Sequence, residues 1–186
     1  VCVNRFLCYT NKKRRQVNLT MMKHKAKKAD RVLELEDWYI TEGMPIICYK
    51  SNIKFGIVNN EEFKVVSFDE EKGLITIDNE EKANWTYQEF IDNFLPAYCI
   101  TIHKSQGMTY DTPYCIMEYN KIRKCQDSRE LLYVALTRAR DISLINFFVE
   151  KEETTEKIYG KRFLQMKIDG YVEQDNKYQR ENDLSV

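Results

Sequence analysis

Two stretches of this sequence alternate apolar strand with helix, and the block between them does not: it strings short β runs together at hairpin spacing. Residues 5–9 (RFLCY) read as a buried strand, and Thr10 with Asn11 can cap a charged helix from Lys12 to about Lys28. A second strong strand lies within 39–49 (YITEGMPIICY), interrupted by a turn near Gly43. From there to Asp78 the pattern is β: FKVVSF at 63–68 and LITI at 74–77 are separated by turn residues, with Asn59-Asn60 before them and Glu71-Lys72-Gly73 between. After Pro96 the alternation returns. Residues 97–102 (AYCITI) and 114–119 (YCIMEY) are strands, a helix spans about 128–140 with Asp127 and Glu130 as its capping box, and 142–149 (ISLINFFV) is a further strand. The economical reading is an α/β parallel-sheet lobe over 1–40 and 95–150, with a small antiparallel β-barrel inserted at 41–94. Residues 151–186 read as a charged helix near 156–166 followed by a tail.

A chain of 186 residues has room for one core, or for a core domain carrying a small insert. Its apolar fraction of 43% lies well above that of chains unable to bury a core, so it is expected to fold. Twenty-nine basic side chains balance 29 acidic ones, so bulk charge gives no argument for a nucleic-acid partner and any such surface has to be local. The only dense basic cluster is Lys12, Lys13, Arg14, Arg15, Lys23, Lys25, Lys27 and Lys28, which reads equally as a solvated helix face or a phosphate track. The six cysteines include no C-x-x-C pair and fall mostly in apolar runs, which predicts reduced core thiols in place of a disulfide framework or metal site. No apolar run approaches a membrane span and no signal peptide is visible, so an intracellular setting is expected, cytoplasmic or nuclear. Abundant Lys, Asn, Ile and Tyr beside six Gly and three Pro point to an AT-rich genome, such as that of a large virus or parasite.

Two strings carry chemistry. Residues 101–107 (TIHKSQG) follow a buried strand directly, placing them at its carboxyl end, where open α/β sheets bind ligands. His103, Lys104, Ser105 and Gln106 put hydrogen-bonding groups on a turn, and Gly107 lets the backbone approach a phosphate. Each alone is more often a solvated turn residue; as an unbroken string they are a site candidate. The second string, LLYVALTRAR at 131–140, sets Leu131, Val134, Ala135 and Arg138 on one helix face, with Arg138 at the carboxyl end of the stripe. An arginine there also complements the helix dipole, and that structural reading is kept for Arg140. No G-x-x-x-x-G-K-[ST] loop occurs in the chain. Trp38, Tyr39, Tyr49, Phe55, Trp85 and Phe90 could stack on bases, but most read as core of the inserted β unit.

Together IHKSQG and LYVALTRAR resemble motifs V and VI of superfamily-one helicases of the RecD, Dda and Pif-type branch. FLCYTN at 6–11 with Val17-Asn18 resembles motif IV and its helix; GMPII at 43–47 and GIVNN at 56–60 resemble the strand and barrel entry of that family, with Asn60 where the family usually has Gly. The resemblance covers most of the chain before Glu150 and implies a second, C-terminal RecA-like lobe. By it, Arg138 is the arginine finger that reaches the γ-phosphate across an interlobe cleft, and Gln106, Gly107 and Thr137 sense nucleotide state there. His103, Ser105 and Lys104 would contact single-stranded DNA, and Thr10 with Asn11 a DNA phosphate. ATP and Mg²⁺ would be held mainly by an N-terminal RecA-like lobe, a partner in the same polypeptide. The expectation is an ATP-dependent DNA helicase, moving 5′ to 3′ by resemblance, in replication, repair or recombination, with no membrane partner. An RNA helicase of the same superfamily, or a regulatory nucleic-acid-binding module without turnover, stays open on these residues.

Overall fold

The computed structural model describes residues 3, 5–52, 55–79 and 83–149. The chain opens with β1 (Arg5–Cys8) and α1 (Asn11–Ala26), whose N-cap Thr10 accepts a hydrogen bond from the Lys13 amide. A short hairpin follows, β2 (Leu33–Leu35) with β3 (Trp38–Ile40), and then β4 (Pro45–Cys48), β5 (Glu62–Asp69), β6 (Leu74–Ile77) and β7 (Asn84–Thr86). A capping box between Thr86 and Glu89 starts α2 (Tyr87–Asn93), which leads to β8 (Phe94–Pro96). The last part holds β9 (Cys99–Thr101), β10 (Tyr114–Ile116), α3 (Tyr119–Ile122), α4 (Ser128–Leu136) and β11 (Ile145–Phe147).

The flanking strands form one parallel sheet in the order β11-β10-β1-β9. Alternation along its strands fills both faces. Leu7, Ile100, Tyr114 and Ile116 join Leu131 and Ala135 of α4, while Cys8, Cys99, Cys115 and Met117 of the opposite parity pack with Val17 of α1. Most of the described cysteines are thus core side chains: Cys8, Cys48, Cys99 and Cys115 are buried free thiols, while Cys125 is half-buried. Because β9 is an edge strand, the Cys99 backbone faces away from β1, and buried Asn18 satisfies it. The Asn18 amide donates to the Cys99 carbonyl at 2.8 Å and its oxygen accepts the Cys99 N–H at 2.9 Å.

Strands β7-β6-β5-β4-β8 form a five-stranded antiparallel sheet. No pairing joins its outer strands among the described residues, so where the sequence suggested a small barrel the structure has a mixed α/β fold with antiparallel sheets beside a parallel one. Its core gathers Ile46, Val65, Ile75, Ile77, Trp85, Phe90 and Phe94, with Trp85 and Phe94 in edge-to-face contact at 5.0 Å. Trp85 and Phe90 are fully buried, as expected of core aromatics. Arg5 ties the sheets together: its guanidinium meets both carboxylate oxygens of Glu62 at 2.7 and 2.6 Å and donates to the Ala97 carbonyl. The turn at Asn60 survives the missing glycine because Asn tolerates the left-handed backbone it adopts, φ 72°.

Several sequence boundaries move. The strand expected over 114–119 stops at Ile116, because Glu118 takes a left-handed φ of 58° and turns the chain into α3. The helix expected to reach Arg140 ends at Leu136, where side chains capture its last carbonyls. Asp127 makes no side-chain cap, and Ile142–Leu144 is a 3₁₀ turn ahead of β11. The helix expected near 156–166 lies outside the described residues. Among the described residues no helix is long and apolar enough to cross a membrane.

Candidate nucleotide and nucleic-acid interface

Strand β9 ends at Thr101, and the chain tightens at once into a 3₁₀ turn, His103–Ser105. The Thr101 hydroxyl accepts the Lys104 amide at 3.3 Å, and the amides of Ser105 and Gln106 bond back to Ile102 and His103. His103, Gln106 and Gly107 are exposed, Lys104 is half-buried, and Ser105 is fully buried with its hydroxyl donating to the Ile102 carbonyl at 2.7 Å. The turn therefore presents His103 outward, keeps Lys104 half-buried beside it, and is braced from beneath by Ser105. Gly107 has φ 84°, a backbone that a side chain would strain, with open space around it.

Arg138 joins this turn to α4. Its Nε donates to the Val134 carbonyl at 3.0 Å, closing the helix end. Its Nη1 donates to Met108 O at 3.0 Å and Ser105 O at 3.4 Å, and its Nη2 to the Thr137 hydroxyl at 3.1 Å. Thr137 in turn donates to the Tyr133 carbonyl at 2.8 Å. The backbone of Tyr110 is laced to Arg138 and Arg140, donating to Arg138 O at 2.7 Å and accepting from Arg140 N at 3.0 Å. Beneath them Tyr114 donates to Ala135 O at 2.6 Å; burial pushes its hydroxyl up to about 12, against the pull of the Arg138 charge. Arg138, Thr137, Ser105 and the Gln106-Gly107-Met108 segment thus form one bonded unit, while Arg140 is exposed.

Thr10 and Asn11 stand at the carboxyl end of the neighbouring strand β1. Asn11 is exposed, but Thr10 is engaged by Glu118, a buried carboxylate that the sequence reading did not single out. Glu118 accepts the amides of Tyr9 and Thr10 at 3.1 and 2.8 Å, the Thr10 hydroxyl at 2.9 Å, and Lys121 Nζ at 2.7 Å. Burial opposes its charge, yet the bonds from Lys121 and Thr10 outweigh burial and hold its carboxyl below the ordinary Glu range. The available signal was a lone acid closing an otherwise apolar run. Arg14 was likewise read only as part of a basic stretch. It is half-buried one turn into α1, its Nε has no partner among the described residues, and burial followed by the neighbouring Arg15 lowers its pKa. Lys104 is lowered by burial and then by the charge of Arg14; Lys104 follows β9 and Arg14 lies one turn past β1, two strands that pair in parallel with Cys8 opposite Thr101. Among the described residues no group of three or more His, Cys, Asp or Glu is arranged to hold a metal ion.

Residues 96–145, which contain the turn, Glu118 and Arg138, match the model of the UvrD-like helicase C-terminal domain. Over 118 residues the chain is 28% identical to the RecBCD enzyme subunit RecD of Buchnera aphidicola subsp. Schizaphis graminum (strain Sg), covering 62% of this chain and 18% of that protein. The Pif1 helicase from Bacteroides in complex with ADP-AlF3 and ssDNA superposes with a TM-score of 0.54 at 19% identity, covering 87% of this chain and 45% of that one. Pif1 helicase from Candida albicans gives 0.50 at 17%, covering 88% and 50%. The structural likenesses speak to fold, and the chain spans half or less of the length of each of these relatives. The family-model match falls on the turn and final helix just described, and the sequence likenesses are to a UvrD-like helicase C-terminal domain and to RecD.

Proposed function

We propose that this chain is the C-terminal motor lobe of an ATP-dependent DNA helicase, spanning residues 1–40 and 95–150 with the β insert at 41–94. The observation that carries this reading is the bonded unit of Arg138 with the turn after β9. Phosphoryl transfer needs positive charge at the developing γ-phosphate charge and a nucleic-acid contact that responds to it. Arg138 is the arginine finger. Its guanidinium rests on the carbonyls of Ser105 and Met108, so its move toward a γ-phosphate frees two acceptors in the segment that holds Gln106 and Gly107. Thr137, bonded to both helix and guanidinium, sets the finger's orientation. His103 and Lys104 face the DNA backbone, Asn11 adds a contact from β1, and Ser105 and Thr10 keep these loops in shape through their bonds to Ile102 and Glu118.

Mg²⁺ and the β and γ phosphates of ATP belong to an N-terminal RecA-like lobe of the same polypeptide, a reading supported by a sequence here that carries no G-x-x-x-x-G-K-[ST] phosphate loop. Bound there, Mg²⁺ would supply neutralisation of phosphate charge; this lobe supplies Arg138 and the DNA contacts. The substrate strand is single-stranded DNA, travelled 5′ to 3′. Measuring ATP turnover of the two-lobe polypeptide with single-stranded DNA and with RNA of equal length tests the reading. DNA-selective stimulation is expected, while stimulation by RNA alone, or none by either, overturns it.

A further inference from the structure

From Asn11 to Ala29 the chain carries eight Lys or Arg and no Asp or Glu, in a protein whose total charge is zero. The fold shows which part of that charge is structural. Helix α1 is anchored through Val17, Asn18 and Met22, while Lys12, Arg15, Gln16, Thr20, Lys23, Lys27 and Lys28 are exposed. At 100° per residue Lys12, Gln16, Lys23 and Lys27 share one face, and the stripe from Lys12 to Lys27 is about 22 Å long at 1.5 Å per residue. Like charges one or two turns apart on a helix repel unless a polyanion lies along them, and no acid within the helix relieves them. The stripe also has a definite starting point. Its first turn stands at the carboxyl end of β1, beside the turn after β9, where Arg14 leaves a buried Nε unpartnered among the described residues and Lys104 lies near it. At the far half, Lys23 Nζ sits 5.4 Å from the ring of Tyr39, which supplies the aromatic neighbour that the sequence of α1 itself lacks.

We infer that the solvent face of α1 is a phosphate track for single-stranded DNA leading away from the His103–Ser105 turn, with Arg14 and Lys104 as its first anion-binding pair. This rests on the assignment of DNA to that turn. The track is sequence-independent, because lysine ammonium groups on a helix surface reach phosphates and not base edges. A run of about 22 Å faces roughly three or four phosphates of an extended single strand, so the strand contacts this lobe well beyond the turn.

The test uses the full 186-residue chain and fluorescence anisotropy with two labelled oligonucleotides, a trinucleotide that fills only the turn and one of about 12 nucleotides that also covers the helix. In Lys23→Gln/Lys27→Gln/Lys28→Gln, three lost phosphate contacts at about 0.7 each flatten the slope of log affinity against log salt by about 2. Between 0.05 and 0.2 M salt the wild type then loses roughly 20-fold more affinity for the long strand than the variant does. The trinucleotide is bound equally by both proteins, and Lys64→Gln/Lys72→Gln/Lys124→Gln, with the same net charge off α1, keeps the wild-type slope. An unchanged slope on the long strand, an equal effect on both lengths, or an equal effect of the control triple overturns the track. A larger effect on duplex than on single strands overturns the choice of strand. The variant His103→Ala separates the two assignments: if it binds both lengths normally, the DNA reading of the turn fails whatever α1 does.

Discussion

Glu118 offers the sharpest test of how the two strand ends are held together. In Glu118→Gln the amide oxygen can still accept from the backbone of Tyr9 and Thr10, but the bonds lose their charge, and the new NH₂ faces the donors Lys121 and Thr10. Hydrogen bonds to a charged group contribute about 1.5–3 kcal/mol and neutral ones about 0.5–1.5, so each of the two amide bonds weakens by about 1 kcal/mol. The Lys121 bond adds less than about 1 kcal/mol, because its side chain is 59% exposed and solvent screens it. The sum is roughly 2–3 kcal/mol, or a Tm lower by roughly 4–12 °C for a domain of this size. The pH dependence follows from the depressed carboxyl. A group whose folded pKa lies below its unfolded value contributes fully above the unfolded value, near 4.3 for Glu, and loses that contribution as pH falls through the folded one. The gap between wild type and variant should thus be constant from about pH 8 to 5 and close below about pH 4. Paired thermal melts across that range measure it. Equal stability at pH 7, or a gap that persists undiminished below pH 4, would refute the assignment of Glu118 as a charged clamp.

Other outcomes follow from the same geometry. Asn18→Ala strips both bonds from the buried Cys99 backbone and should cost about 2–4 kcal/mol in chemical denaturation; a loss under about 0.5 kcal/mol would mean water replaces the side chain. Replacing His103 by Ala should weaken single-stranded DNA binding about equally for all base sequences, whereas Ser105→Ala should act first on stability, by about 1 kcal/mol; a change confined to sequence preference would contradict the backbone role. The 186-residue chain by itself should release no phosphate from ATP above background with or without DNA, and DNA-stimulated hydrolysis by it would show that the nucleotide site has been misplaced.

Much of this was legible in the residues. The parallel strands announced themselves as short apolar runs, and the site strings followed a strand end and closed a helix, positions where few constraints other than function select His-Lys-Ser-Gln-Gly. What stayed hidden depended on partners distant in sequence. Glu118 reads as the end of a strand until the fold brings it to Thr10, 108 residues away, and its left-handed backbone then ends β10 early. Helix α4 looked longer because Thr137 and Arg138 continue its period, yet their side chains cap it instead of extending it. Ser105 looked like a contact residue because a hydroxyl on a turn does; only the 3₁₀ geometry shows that it points inward. The burial of Arg14 could not be read from a run of like charges whose exposed members differ from it by one helix position.

Arg138 is proposed to serve the γ-phosphate. The direct measurement is steady-state ATP turnover of the two-lobe polypeptide carrying Arg138→Ala, with circular dichroism to verify its fold and anisotropy to follow its DNA affinity. Because Arg138 also bonds Met108 and Val134, some stability is lost, about 1–2 kcal/mol, without unfolding the lobe. Turnover should fall by roughly 10³-fold, the scale of a removed arginine finger, with single-stranded DNA affinity nearly kept. Near-normal turnover in a folded variant would contradict it and leave Arg138 as no more than the cap of α4.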